Sequence, residues 1–275
     1  MLIPHCLTGS SLVVREIDDE ATRIAPFDIR VLISGESGVG KQTLAHLIHE
    51  RSPRADRPLG TIDCGTIADS TFESEWLAPL SAAGGTLFLR NAEDMSARKQ
   101  ATLYRFLDAA YDADGSPMGR LSGRPRLRVL AGSRANLFEA VEAGTFRHDL
   151  FYRLNTVHLR IPPLRERAED IPVLFEHFVH QLSDARQCAL PRIAAETRQA
   201  LLAYSWPDNV RELKQVADRL VQKGGDPQGE GRMLARQVQF ESVRAKKRSL
   251  RAFPADVTVI VTPRPRPGAR SRTTT

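Results

Sequence analysis

The sequence predicts a parallel α/β sheet domain followed by a small helical domain. Three observations carry this. Short apolar runs alternate with helix-spaced segments as far as residue 161. The first of those runs passes through a glycine-rich turn straight into a helical pattern. After Pro162-Pro163 the strand signals stop and only amphipathic helical spacing continues. Strands alternating with helices imply crossover connections, and these build parallel sheets.

Val31-Leu32-Ile33-Ser34 is a short apolar run ending in glycine, the pattern of a strand buried on both faces. Residues 42–51 place Leu44, Ala45, Leu47 and Ile48 on one helical face. Four more strand-like runs follow at 59–64, 86–89, 127–131 and 156–161, with a helical stretch at 97–110. Beyond the proline pair, residues 170–182, 194–204 and 209–221 read as helices, the last opened by Trp206-Pro207-Asp208-Asn209. Gly224-Gly225-Asp226-Pro227 breaks the pattern, and the remainder, with Lys246-Lys247-Arg248 and Pro263-Arg264-Pro265-Arg266-Pro267, is biased enough in composition to predict disorder.

Composition excludes several classes. No apolar run reaches the length of a membrane span, and the first residues lack a basic segment followed by an apolar one, so no secretory signal is expected. Cys6, Cys64 and Cys188 are three, far apart and without a CxxC pair, which argues against a disulfide framework or a zinc site and fits a cytoplasmic location. His46 and His49, like His177 and His180, lack an evident third ligand and read as structural; Trp76 and Trp206 read as packing residues. Residues 243–275 hold nine Lys or Arg and one acid, a net of +8 against +6 for the whole chain, which leaves residues 1–242 at −2. The basic balance therefore belongs to the tail and predicts nothing about nucleic-acid binding by the folded body.

The chemistry is concentrated in Gly35-Glu36-Ser37-Gly38-Val39-Gly40-Lys41-Gln42, set between a strand and a helix. Glycines let the backbone turn its N–H groups inward, the helix N-terminus adds its dipole, and Lys41 adds a charge; together these suit phosphate oxygens. Gln42 stands where a Ser or Thr usually holds Mg²⁺.

This stretch resembles the Walker A of the AAA+ domain of sigma-54-dependent transcription activators, the bacterial enhancer-binding proteins. The resemblance extends in order through Gly84-Gly85-Thr86-Leu87-Phe88-Leu89, Phe146-Arg147-His148-Asp149-Leu150-Phe151-Tyr152-Arg153, Pro162-Pro163-Leu164-Arg165-Glu166-Arg167, Asp170-Ile171-Pro172 and Trp206-Pro207-Asp208-Asn209-Val210-Arg211-Glu212-Leu213. It implies a P-loop AAA+ domain over residues 7–165, a helical lid over 166–222 and a tail from 223 to 275. It also implies ATP as ligand, Arg147 and Arg153 as arginine fingers acting on a neighbouring subunit, Arg211 as a phosphate contact from the lid, and assembly into rings with itself or with intact relatives.

The sequence departs from that family at four places. Arg90-Asn91 stands where the family keeps Asp-Glu, the carboxylates that position Mg²⁺ and polarise water. Glu93 and Asp94 could enter that strand end only through a register slip, which would flip every side chain. Only six residues, 78–83, occupy the place of the long GAFTGA hairpin that touches sigma-54. Ser133-Arg134 replaces a Thr-Asn type pair, and Asp63 replaces an asparagine that holds the catalytic Glu. The expected outcome is an ATP-binding relative with impaired hydrolysis, without a usual Mg²⁺ carboxylate, without sigma-54 contact and without sequence-specific DNA binding or membrane association. Two alternatives stay open: a working ATPase whose carboxylate comes from elsewhere, and a decayed or frame-shifted product.

Overall fold

The computed structural model describes residues 9–108 and 127–222, apart from 135, 192 and 194. The basic tail and Cys6 lie outside the described residues. The order is α1 (Leu12–Ile24), β1 (Val31–Ser34), α2 (Lys41–Glu50), β2 (Leu59–Asp63), a π-helical turn (Phe72–Leu77) running into α3 (Ala78–Ala82), then β3 (Thr86–Arg90) and α4 (Ala97–Asp108). After these come β4 (Arg128–Ser133), α5 (Leu137–Glu142), α6 (His148–Leu154), β5 (Val157–Arg160), α7 (Asp170–Arg186), α8 (Ala195–Ala203) and α9 (Asn209–Gln222). Every strand and helix expected from the spacing is present.

The five strands form one parallel sheet in the order β2-β3-β4-β1-β5. Register puts Ser34 beside both Ser133 and Arg160, and Asp63 beside Arg90, so these residues share the carboxyl edge of the sheet. Ligands of open α/β sheets bind in the crevice outside that edge. One apolar cluster lies on each face of the sheet: Leu87, Leu89, Val129 and Ala131 point to one, and Phe88, Leu130, Ile33 and Leu159 to the other. This alternation is what period-two strands buried on both sides require.

A separate cluster, confined to residues 164–221, packs α7, α8 and α9 around Trp206. Trp206 is fully buried, and its indole donates to the Leu201 carbonyl at 2.9 Å. Trp76 is partly buried against the first cluster, so both tryptophans pack. Among the described residues no helix is long and apolar enough to cross a membrane.

Two buried charges tie the layers together. Arg128, at the start of β4, donates to the carbonyls of Ala25, Ile24 and Ile29, which closes the C-terminal end of α1. Asp170, the first residue of α7, accepts from Ser10 N, Ser11 N and the Ser11 hydroxyl at 2.6–2.7 Å. It lies 3.9 Å from the guanidinium of Arg167, also buried, which in turn donates to the Val39 carbonyl at 3.0 Å. Removing one partner of such a pair leaves a buried charge uncompensated, at a cost of about 3–5 kcal/mol. Asp170→Ala should therefore lower unfolding stability by about that amount, read by urea denaturation. Glu176→Ala, which removes only a solvent-exposed partner of Arg198, should change it by less than about 0.5 kcal/mol.

Candidate functional site: a cationic cleft over the phosphate loop

Gly35 and Gly38 adopt φ of +151° and +76°, and Gly40 at +113° opens α2. A side chain at Gly38 would meet the Asp208 carbonyl oxygen at 2.0 Å, so the loop is in backbone contact with the start of α9. Between loop and lid lies a cleft of about 280 Å³. Ser37, Gly38, Gly40, Lys41 and Gln42 from the loop line it, with Arg90, Asn91 and Arg134 from the sheet edge and Phe178, Val210, Arg211 and Lys214 from the lid. Glu36 and Val39 turn away from it: Val39 joins the core and Glu36 faces the lid.

Lys41 donates to the carbonyls of Gly35 and Glu36 at 2.6 and 2.9 Å. Burial pushes its pKa down to about 8, Glu93 raises it, and Arg134 and Arg211 lower it further. Arg165 grips Glu36 with both guanidinium nitrogens, at 2.8 and 2.6 Å, and holds that carboxyl below its usual range. The Asn209 amide donates to Glu36 and to the Ser37 carbonyl and accepts from Leu164 N. Arg211 donates to the Ser37 hydroxyl at 3.0 Å.

At the sheet edge β3 ends in register, with Arg90 opposite Asp63. Asn91 then turns left-handed, φ 53°, and donates to Asp63 Oδ2 at 2.8 Å; Arg90 lies 3.6 Å from the same oxygen. Glu93 and Asp94 sit on the following 3₁₀ turn, not in the strand. Arg134 takes both: its backbone N and Nε reach Glu93 Oε1 at 3.0 and 2.9 Å, and Nη2 reaches Asp94 at 2.5 Å. No carboxylate is among the described residues that line the cleft, whereas five cations are. Mg²⁺ is a hard ion that binds carboxylate and phosphate oxygens in near-octahedral geometry, and this wall does not fit it.

Residues 8–250 match two family descriptions in succession. The profile described as "Sigma-54 interaction domain" covers residues 8–164, and that of the "AAA+ ATPase lid domain" covers 165–250. The chain belongs to the sigma-54 interaction domain family. The C4-dicarboxylate transport transcriptional regulatory protein DctD of Rhizobium meliloti is 37% identical over 231 residues, covering 78% of this chain and 50% of DctD. The transcriptional regulatory protein FlbD of Caulobacter vibrioides is 38% identical over 225 residues, covering 76% and 49%. The crystal structure of NtrX from Brucella abortus in complex with ADP superposes with a TM-score of 0.71 at 30% identity, over 82% of this chain and 53% of NtrX. Its complex with ATP gives 0.70 at 32%, over 80% and 51%. The chain thus spans about half the length of the relatives it matches.

Lys41 and Gln42 of the sigma-54 interaction domain and Arg211 of the lid converge on one cleft. Arg147 and Arg153 do not line it. They sit at the N-cap and in the last turn of α6, with guanidiniums 5.1 and 5.0 Å from the Tyr104 ring and paired with Asp149 and Asp108. The contributions of Lys214 and Phe178 were not visible in the sequence, since each is one residue of an amphipathic lid helix. Arg165 and Asn209 lay inside family blocks, but their contacts to Glu36 span 129 and 173 residues and no local pattern encodes them. Cys64 is buried and its thiol is pushed up to about 12 by that burial, so it is inert; among the described residues there is no cluster able to hold a metal.

The low Lys41 pKa has a consequence for binding. A polyphosphate favours the protonated amine, so the pKa rises on binding. Above pH about 8 the free protein must take up a proton to bind. Triphosphate affinity should therefore be flat just below that pH and fall above it by up to about tenfold per pH unit. Calorimetric titrations in buffers of differing ionisation enthalpy would read both the fall and the proton uptake.

Proposed function

We propose that this chain is an ATP-binding AAA+ protein of the sigma-54 regulator family whose hydrolysis is impaired and which lacks the hairpin that contacts sigma-54. The observation that carries this is the cleft itself: the loop and Lys41 are those of a phosphate site, while Arg90 and Asn91 occupy the strand end where the family keeps its two carboxylates. Phosphoryl transfer to water needs a placed triphosphate, compensation of the developing charge and a group that orients the water. Gly35–Lys41 and Arg211 hold the first. Asn91 accepts a hydrogen bond but is a very weak base, and losing positioned acid–base help costs about 10²–10⁴ in rate.

Arg147 and Arg153 lie away from their own cleft on a surface shared with exposed Tyr152. This supports their use on the nucleotide of a neighbouring subunit, either a second copy or an intact relative in a mixed ring. The passage from Leu77 through α3 into β3 is a single short helix, which supports the absence of a projecting contact element. A regulator of this kind acts on transcription by joining rings rather than by opening promoters alone.

One observation favours a working site instead. Glu93 is close enough to raise the Lys41 pKa, and its Oε2 is buried without a hydrogen-bond partner. Phosphate release decides between the two readings. Wild type should turn over slowly or undetectably, Lys41→Ala should lose ATP binding, and Arg90→Asp with Asn91→Glu should raise turnover. Wild-type turnover equal to that of the double variant, and abolished by Glu93→Gln, would establish the working site.

Assembly is tested separately. Sedimentation with and without ATP should show nucleotide-promoted association, alone or with an intact relative, that Arg147→Ala weakens. In an open-complex assay this chain alone should leave the sigma-54 holoenzyme closed; promoter opening would overturn the assignment.

A further inference from the structure

We propose that the cleft takes its nucleoside triphosphate as the metal-free anion, with the guanidiniums of Arg90 and Arg134 standing where a divalent cation would bridge the phosphates. This rests on the reading of the cleft as a nucleotide site. The first argument is placement. Arg90 ends β3 and Arg134 immediately follows β4, and these strands are neighbours in the sheet. Both side chains reach the cleft wall beside Lys41.

The second argument is which charge faces the ligand. Arg90 and Arg134 are 43% and 45% exposed, whereas Asp63 and Glu93 behind them are 23% and 12% exposed. Neither acid lines the cleft. Asp63 accepts from Gly65 N on one oxygen and from Asn91 on the other. Glu93 Oε1 accepts twice from Arg134, and Oε2, without a hydrogen-bond partner, is buried away from the cleft lining. The acids therefore orient the arginines without offering the cleft a metal ligand.

The third argument is the charge balance. Guanidinium donates planar, paired hydrogen bonds to phosphate and stays protonated at any physiological pH. With Lys41, Arg211 and Lys214 it makes a wall of five cations. A free triphosphate carries more negative charge than its magnesium complex, so this wall favours the free anion. Bound magnesium would instead be pressed against two fixed cations with no carboxylate to offset them.

Calorimetry of the full chain with ATP, once in EDTA and once in excess Mg²⁺, tests this. Affinity in EDTA should equal or exceed that in Mg²⁺. Arg90→Gln should weaken binding in EDTA by about tenfold, as expected for one charged hydrogen bond. Arg90→Asp with Asn91→Glu should reverse the preference, so that Mg²⁺ tightens ATP. Wild-type ATP binding that is tenfold or more tighter in Mg²⁺ than in EDTA would overturn the proposal while leaving the nucleotide site intact. Absence of binding in both buffers would overturn the nucleotide reading and this inference with it. The wild-type comparison needs no variant, so it stands if Arg90→Gln fails to fold.

Discussion

The Asn209 side chain is the contact on which the site depends. It is fully buried, and its backbone sits in a left-handed conformation, φ 52°, that few residues tolerate without a compensating bond. Its amide oxygen receives Leu164 N from the segment joining sheet to lid, and its amide nitrogen reaches Glu36 and the Ser37 carbonyl in the loop. Three segments distant in sequence thus share one planar group. A carboxylate could not donate and an amine could not accept, so an amide is the side chain that satisfies all three. Because Arg165 holds Glu36 from the same side, the loop conformation and the lid position are set together.

The same coupling brings the loop and the lid into contact. The loop presents Gly38 to the Asp208 carbonyl with no room for a Cβ, and Arg211 N reaches the Gly38 carbonyl at 3.3 Å. Lys41 meanwhile spends its donors on the loop's own carbonyls, which keeps a half-buried ammonium satisfied. A triphosphate bound as proposed would compete with those carbonyls for Lys41 and with Ser37 for Arg211.

Much of the fold was legible in the sequence, because strands buried on both faces and helices with one apolar stripe leave strong local periodicities. The phosphate loop was legible for a related reason: glycine spacing, lysine and following helix lie within eight residues of one another. The replaced strand end was legible only as a departure, and its consequence was not. Asp63, Asn91 and Arg90 read as unrelated substitutions until the register placed them side by side. Arg134 and Glu93 likewise lie 41 residues apart and meet only because β3 and β4 are adjacent. His49 shows the same limit on a smaller scale: helix spacing could make it structural, but only the fold reveals its bond to Thr86 at 3.0 Å.

The strand-end substitutions make physical sense as a set rather than singly. Arg90, Arg134 and Lys41 alone would leave three cations with nothing to offset them. Asp63, Glu93 and Asp94 provide that offset from behind. Asn91 in place of the second carboxylate would be a weaker group in the same position. Beside Asp63 it donates a half-buried hydrogen bond to that carboxylate. In this chain Asp63 and Glu93 lie within and the cations face the cleft. Random loss of function removes groups without supplying partners, and unpartnered charges at a half-buried edge are costly. The pairing of Arg134 with Glu93 and Asp94, and of Asn91 with Asp63, weighs against reading the substitutions as decay.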